Sequence, residues 1–492
     1  MPKKLKIVSI ASEVDPYSKT GGLADVARSL PKSLHRLGHE VIIITPFYGK
    51  TINREKYKLE KIYSEIQLQI DKKNEIKVSY YRSELLPGLK VYFIRNDKYF
   101  SRRKNIYGSS HENARFYLFD IASLKLISLL KFKADIIHCH DWQAGLIPYL
   151  KKTKFKNSKT LSGAATVFTV HNLTFQLGTN WWEVPLKYKD KGQKSLPDFD
   201  DPKIEHINFA KRAILNADVI NTVSETYAQE IMGKSFGQDL QGILKNRQYK
   251  LFGVVNGIDY NKYNPATDPG LYKNYSVDKF YGKAANKSYL QKLYSLPIKE
   301  RVPLIGLTSR IVEQKGFDLI LDILPTLLLR DVQMIIMGDG DKEYLKKLNK
   351  IKKKHIKKLA VVAFDRKMET SVYAGADLFL LPSRFEPCGI NQLIGFRYGA
   401  VPIVRNTGGL SDTVSNFDPE DFSGNGFTFK NYNSYELLVA ISRALETYKY
   451  KEVWQKLVDR GMRASFSWDL PAELYLQLYK KAIKFKKQDD QN

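Results

Sequence analysis

Residues 6–46 read KIVSIASEVDPYSKTGGLADVARSLPKSLHRLGHEVIIITP. KIVSIA is a short apolar run of strand length, and EVIIITP is a second. Between them Leu23, Val26, Leu30, Leu34 and Leu37 recur at steps of three or four, which is one face of a 3.6-residue helix. Gly38 follows as a stop signal. The stretch is a strand, a glycine-rich turn, a helix and a strand, the repeating unit of a parallel sheet covered by helices.

Outward from this unit the same alternation continues. Candidate strands are VYFIR, DIIHCH, TVFTV, DVINTVS and LFGVVNG, then PLIGLTS, VQMIIMG, AVVAF, DLFLLPS and PIVRNT after residue 300. One doubly wound sheet rarely needs so many, so two Rossmann-like α/β domains are expected, with ligand at the strands' C-terminal ends. The Gly-, Pro-, Asn- and Asp-rich stretch 257–270 marks the boundary. The expected division is 1–260, 261–468 and a last helix with a basic tail over 469–492. Residues 187–203 are polar and unpatterned and read as a long surface loop.

The 492 residues carry 79 Lys and Arg against 52 Asp and Glu, a net charge of +27. That balance suits a lysine-rich solvated surface, or attraction to nucleic acid, an anionic membrane or small anions. No nucleic-acid recognition motif accompanies it. The apolar run after the N-terminal lysines is too short for a signal peptide, and LILDILPTLLL is too short to span a bilayer. Neither nucleic acid nor membrane is therefore expected as a partner. Two cysteines exclude a disulfide framework and favour a reducing, cytoplasmic setting.

Five strand-end motifs could carry chemistry. Lys19-Thr20-Gly21-Gly22-Leu23-Ala24-Asp25 joins two glycines, a helix N-terminus and a cation, the parts of an anion site, or of a plain strand–helix corner. Thr407-Gly408-Gly409-Leu410 repeats that arrangement, with the glycine amides as expected donors. Arg310 and Lys315 leave another strand end ahead of a helix and could clamp a diphosphate, or be two surface cations. Ser383-Arg384-Phe385-Glu386-Pro387-Cys388-Gly389-Ile390-Asn391 sets a carboxylate in a turn fixed by prolines and glycine, able to hold sugar hydroxyls. Cys388 reads as a small buried thiol, since no histidine is near it in sequence. His171 stands alone at a strand end. In His138-Cys139-His140-Asp141 the expected role of Asp141 is to cap a helix. The D-x-D pairs Asp198/Asp200 and Asp339/Asp341 could hold a divalent ion, but one is in a loop and one in a turn, so no metal is expected.

Together these residues resemble the bacterial glycogen synthase and plant starch synthase family, retaining glucosyltransferases of GT-B architecture. The resemblance rests on KTGGLADV (19–26), HDWQAGL (140–146), TVHNL (169–173), VNGID (255–259), SRFEPCGINQL (383–393), TGGLSDTV (407–414) and FSW (466–468). It implies two facing Rossmann-like domains with the active site in the interdomain cleft. It also implies transfer of glucose, with retention, from ADP-glucose or UDP-glucose to the non-reducing end of an α-1,4-glucan such as glycogen. No cofactor is implied. Matched position by position, Glu386, His171, Arg310 and Lys315 correspond to catalytic residues. Lys19, Gly22, Asp25, Tyr107, Asn256, Cys388, Gly389, Gly408 and Gly409 correspond to positions around the donor. A UDP-glucose enzyme, an enzyme with a small acceptor and a non-catalytic glucan-binding protein are the alternatives. The chain departs from the family pattern at Phe364, where a Tyr is usual, at Tyr263, where a Trp is common, and in the lysine-rich stretch 346–358.

Overall fold

A computed structural model describes residues 4–108 and 110–491. The chain divides into two compact units, Met1–Asn256 with Trp468–Asn492, and Gly257–Ser467.

The first unit is built on strands β1 (Lys6–Ile10), β2 (Glu40–Pro46), β3 (Glu60–Gln69), β4 (Glu75–Leu86), β5 (Leu89–Arg95), β6 (Ile136–His140), β7 (Ala165–Val170), β8 (Val219–Thr222) and β9 (Leu251–Gly253). Their order across the sheet is β3-β4-β5-β2-β1-β6-β7-β8-β9. All neighbours pair parallel except β3–β4 and β4–β5, which are antiparallel. Every residue of β6 and β7 is buried, as a sheet covered on both faces requires. The helix Gly22–Arg36 buries Leu23, Val26, Leu30 and Leu34, whereas Leu37 falls past its end and is exposed.

The β3–β4 hairpin escapes a reading by periodicity. Of β3 only Leu68 is buried. Register shifts at Lys61/Tyr63 and Tyr63/Ile66, with Glu65 at φ +49°, break the two-residue alternation. The hairpin turn ties down a distant loop. Asp71 Oδ2 accepts from Phe199 N at 2.6 Å, and Lys73 pairs with Asp198 at 2.7 Å.

The second unit has β10 (Leu304–Thr308), β11 (Gln333–Met337), β12 (Leu359–Val362), β13 (Leu378–Leu381), β14 (Val401–Arg405) and β15 (Phe427–Phe429). They form an all-parallel sheet in the order β12-β11-β10-β13-β14-β15. Reversal of the strand order beside β10 creates a switch point there, where an open α/β sheet presents its ligand crevice. The loop after β10 carries Arg310 and Lys315, and the loop after β13 carries Glu386.

The helix Asp469–Gln491 belongs to the first unit and packs on β7 and β8. Its Tyr479 hydroxyl lies 2.9 Å from His138 Nδ1, and its Tyr475 hydroxyl accepts from Asn221 Nδ2 at 3.0 Å. The segment 187–203, read as a long surface loop, is held from inside. Arg212 donates through Nε and Nη2 to the two carboxylate oxygens of Asp190, both at 2.8 Å, with both side chains buried. No helix among the described residues is long and apolar enough to cross a membrane.

Candidate active site

In the first unit the chemistry gathers at the C-terminal ends of β1, β6 and β7. After β1 the chain turns through Ser12 and Glu13 before reaching Lys19. Glu13 Oε2 accepts from the backbone N–H of Thr20 at 2.5 Å and from its hydroxyl at 2.8 Å, fixing the turn that leads to Gly21 and Gly22. Burial raises the Glu13 carboxyl to about 7, although the Thr20 hydrogen bonds oppose the rise. Lys19 Nζ meets Asp25 Oδ2 at 2.5 Å, so the cation and the first turn of the helix hold each other. The space a Cβ of Gly22 would fill is open. Tyr107 is hydrogen-bonded to Ser12 Oγ at 2.7 Å and so joins the same turn.

His171 is not alone. Its Nε2 lies 3.0 Å from His140 Nδ1, and His140 Nε2 lies 3.2 Å from Ser9 Oγ. His138 stacks on His140 with ring centroids 4.0 Å apart and is itself bonded to Thr169 Oγ1 at 2.7 Å. Burial lowers His138 and His171 to about 3 and His140 well below its ordinary value. The row is neutral at physiological pH, so each imidazole has one donor and one acceptor nitrogen. Asp141 does not cap the helical turn that follows it. Its Oδ1 instead accepts from His171 N at 2.6 Å, orienting the histidine through its backbone. Burial raises Asp141 to about 7, with a contribution from the charge of Glu13. Asn256, at the end of this unit, is buried with its Oδ1 lacking a hydrogen-bond partner.

In the second unit Lys315 Nζ meets Glu386 Oε2 at 2.5 Å, and Ser383 Oγ donates to the same oxygen at 3.1 Å. Gly316, at φ +79°, makes that meeting possible, because a Cβ there would strike the carbonyl of Pro382. Arg310 is exposed, its guanidinium reaching only Gln314 Oε1 at 3.5 Å, the limit of a hydrogen bond. The chain therefore presents a half-buried cation engaged with the carboxylate and an exposed cation near it in sequence. Cys388 is buried, in keeping with the packing role read for it.

The Gly408–Gly409 turn departs from expectation. Gly409 N donates inward to the carbonyls of Glu386 and Pro387, both at 3.2 Å. A Cβ on Gly408 would collide with the Glu386 carbonyl, and one on Gly409 with the Cys388 backbone. The glycines let one loop lie directly against the other, and the Gly409 amide is committed to that contact. Gly389, at φ +65°, completes the loop.

The D-x-D patterns do not come together. Asp198 pairs with Lys73, and Asp200 accepts from Asn74 at 3.1 Å. Asp341 caps the helix Lys342–Lys354, and Asp339 accepts from Phe364 N at 3.3 Å. Among the described residues no group of three or more His, Cys, Asp or Glu is arranged to hold a metal ion. Glu13, Ser12, His140 and the interaction of Asp141 with His171 were missed from sequence. Their signal was faint: each lies at or just beyond the C-terminal end of a buried strand.

Two parallel α/β units with paired cationic and acidic loops at their strand ends define a glycosyltransferase of GT-B type. The family described as "Starch synthase catalytic domain" matches residues 6–246, and that described as "Glycosyl transferases group 1" matches residues 292–458. A glycogen synthase of Geotalea uraniireducens is 41% identical, with 97% of this chain and 99% of that protein covered. One from Thermotoga maritima is 40% identical over 97% of this chain and 99% of that one. The solved catalytic domain of starch synthase IV from Arabidopsis thaliana, bound to ADP and acarbose, superposes with a TM-score of 0.86 at 33% identity, covering 98% of this chain and 100% of that one. The chain belongs to the glycogen synthase family, and its activity is glucan synthesis from a nucleotide sugar.

Proposed function

We propose that the chain transfers glucose from ADP-glucose to the non-reducing end of an α-1,4-glucan with retention of configuration, in the cytoplasm. The reading is carried by the Lys315–Glu386 pair. The ADP in the starch synthase IV structure supports the choice of nucleotide.

Cleavage of the glucose–phosphate bond leaves positive charge on the sugar and negative charge on the diphosphate, so the chain's task is mainly electrostatic. Lys315 and Arg310 would neutralise the departing diphosphate. Glu386 would hold a sugar hydroxyl and favour the cationic sugar. His171, neutral and oriented by Asp141, would donate to or accept from a hydroxyl without adding charge. Lys19, Gly22, Asp25, Tyr107 and Asn256 would complete the donor surroundings, and Asn256 Oδ1 has an acceptor position to offer.

Retention through a covalent intermediate needs an ionised carboxylate nucleophile. Glu13 and Asp141 stand at strand ends, but burial keeps each about half protonated near neutral pH, a poor state for that role. Same-face attack fits better. The bond from C1 to the phosphate oxygen breaks, the bond from C1 to the acceptor 4-oxygen forms on that face, and the acceptor's proton passes to the departing phosphate.

The test is nucleotide release from ADP-glucose and from UDP-glucose with glycogen present. Faster release of ADP is expected; a preference for UDP-glucose would overturn the donor assignment.

A further inference from the structure

One hydroxyl decides where the protons sit along the histidine row. Ser9 lies on β1, in the middle of the first sheet, with Ile43 of β2 on one side and His138 of β6 on the other. It is 3% exposed. Among the described residues its Oγ has one hydrogen-bond partner, His140 Nε2 at 3.2 Å. His140 is fully buried, and its other ring nitrogen, Nδ1, lies 3.0 Å from His171 Nε2. The last nitrogen of this chain of contacts, His171 Nδ1, has no partner among the described residues and is open to solvent.

Burial keeps both imidazoles neutral, so each ring carries a single N–H. Two proton arrangements then suit the distances. In the first, His171 Nε2–H donates to His140 Nδ1, and His140 Nε2–H donates to Ser9 Oγ. The Ser9 hydroxyl proton is left in the sheet with no acceptor. In the second, Ser9 donates to His140 Nε2, and His140 Nδ1–H donates to His171 Nε2. Every buried donor is paired, and what goes unused at Ser9 is a lone pair. Buried donors without acceptors are the rarer and costlier defect, so the second arrangement holds. It leaves the proton of His171 on Nδ1, the nitrogen that faces open space.

We propose that Ser9 and His140 are positioning residues for the transfer reaction: their two hydrogen bonds keep the single proton of His171 on Nδ1, so that the ring meets the transferred sugar only as a donor. The proposal rests on the glucan-synthase reading, in which His171 touches the sugar. A donor at Nδ1 engages a lone pair of a sugar hydroxyl and leaves that hydroxyl's own proton to another acceptor. The opposite tautomer would present a bare nitrogen and compete for that proton.

The experiment follows the ring nitrogens by NMR in the full chain carrying isotopically labelled histidine, where protonated and bare nitrogens resonate far apart. His171→Gln assigns the His171 signals. The wild type should hold its protons on Nδ1 of both His140 and His171; a proton on Nε2 of His171 would overturn the proposal, whatever the variants do. His140→Met puts a weakly accepting sulfur with nothing to donate beside His171. The His171 proton should then move to Nε2, and kcat with ADP-glucose and glycogen should fall about tenfold, the effect of one hydrogen bond in the transition state, with little change in KM. His140→Asn sets an amide N–H where Nδ1–H stood and should restore both the tautomer and the rate. Ser9→Ala should leave His171 divided between the two tautomers. Equal losses of kcat in the Met and Asn variants, with the His171 proton unmoved, would make His140 a packing residue and overturn its role. A proton on Nδ1 in a wild type that transfers glucose from neither ADP-glucose nor UDP-glucose would sink the reaction assignment and still support the proton order.

Discussion

Lys315 Nζ and Glu386 Oε2 lie 2.5 Å apart, joining the loop after β10 to the loop after β13. Each group is largely buried, and each neutralises the other; in the proposed reaction a diphosphate and a sugar would compete for them. Lys315→Met or Glu386→Gln should each lower kcat by ~10²–10³, the usual loss for one preorganised electrostatic group. The double variant should lose less than the product of the two, because each single change already leaves its partner unpaired. Turnover of donor with glycogen measures this. More than a tenth of wild-type kcat in Glu386→Gln would refute the role.

Gly409→Ala tests the contact between the two glycine-rich loops. The added methyl has nowhere to go but into the Cys388 backbone. A loss of about 2–3 kcal/mol in urea unfolding is expected, together with lost activity. An unperturbed variant would show that the loops separate easily.

The histidine row makes stability depend on pH. His138 and His171 titrate near 3 in the folded chain, against an ordinary value of 6.5. Between those values the unfolded state binds more protons, so stability is complete above pH 6.5 and falls as pH drops. Glu13 and Asp141, raised to about 7, act in the opposite sense over the range from ordinary carboxyl values up to 7. Replacing His138 with Gln should reduce the loss between pH 6 and 5 by about 1 kcal/mol, read from urea unfolding at each pH. An unchanged slope would mean that His138 is not buried neutral.

Asp190 and Arg212 form a buried two-pronged ion pair that anchors the segment from Asp190 to Lys194. Asp190→Ala leaves the guanidinium without its counter-charge and should cost about 3–5 kcal/mol. Limited proteolysis should then cut within residues 187–203. Resistance to cleavage would place the anchor elsewhere.

Much of this was legible in the chain itself. The two sheets announced themselves because fully buried parallel strands are continuous apolar runs, as in Ile136–His140. Lys315 and Glu386 were visible as motif residues, although their pairing was not, since they stand far apart in sequence and meet only through β10 and β13. The β3–β4 hairpin was hidden by its bulges and polar face. Asp190 and Arg212 were hidden because an ion pair across a long connection has no sequence period. The inward bond of the Gly409 amide was hidden for a simpler reason: a sequence shows that a glycine amide is unobstructed, not which carbonyl it faces.

The helix Asp469–Gln491 has a consequence for how the protein is made. Its tyrosines hydrogen-bond His138 Nδ1 and Asn221 Nδ2 inside the first unit, yet it leaves the ribosome after every residue of the second unit. During synthesis the second unit can close on its own, while the first must wait, open along β7 and β8, for its last strip of surface. The part of the chain begun first is the part finished last.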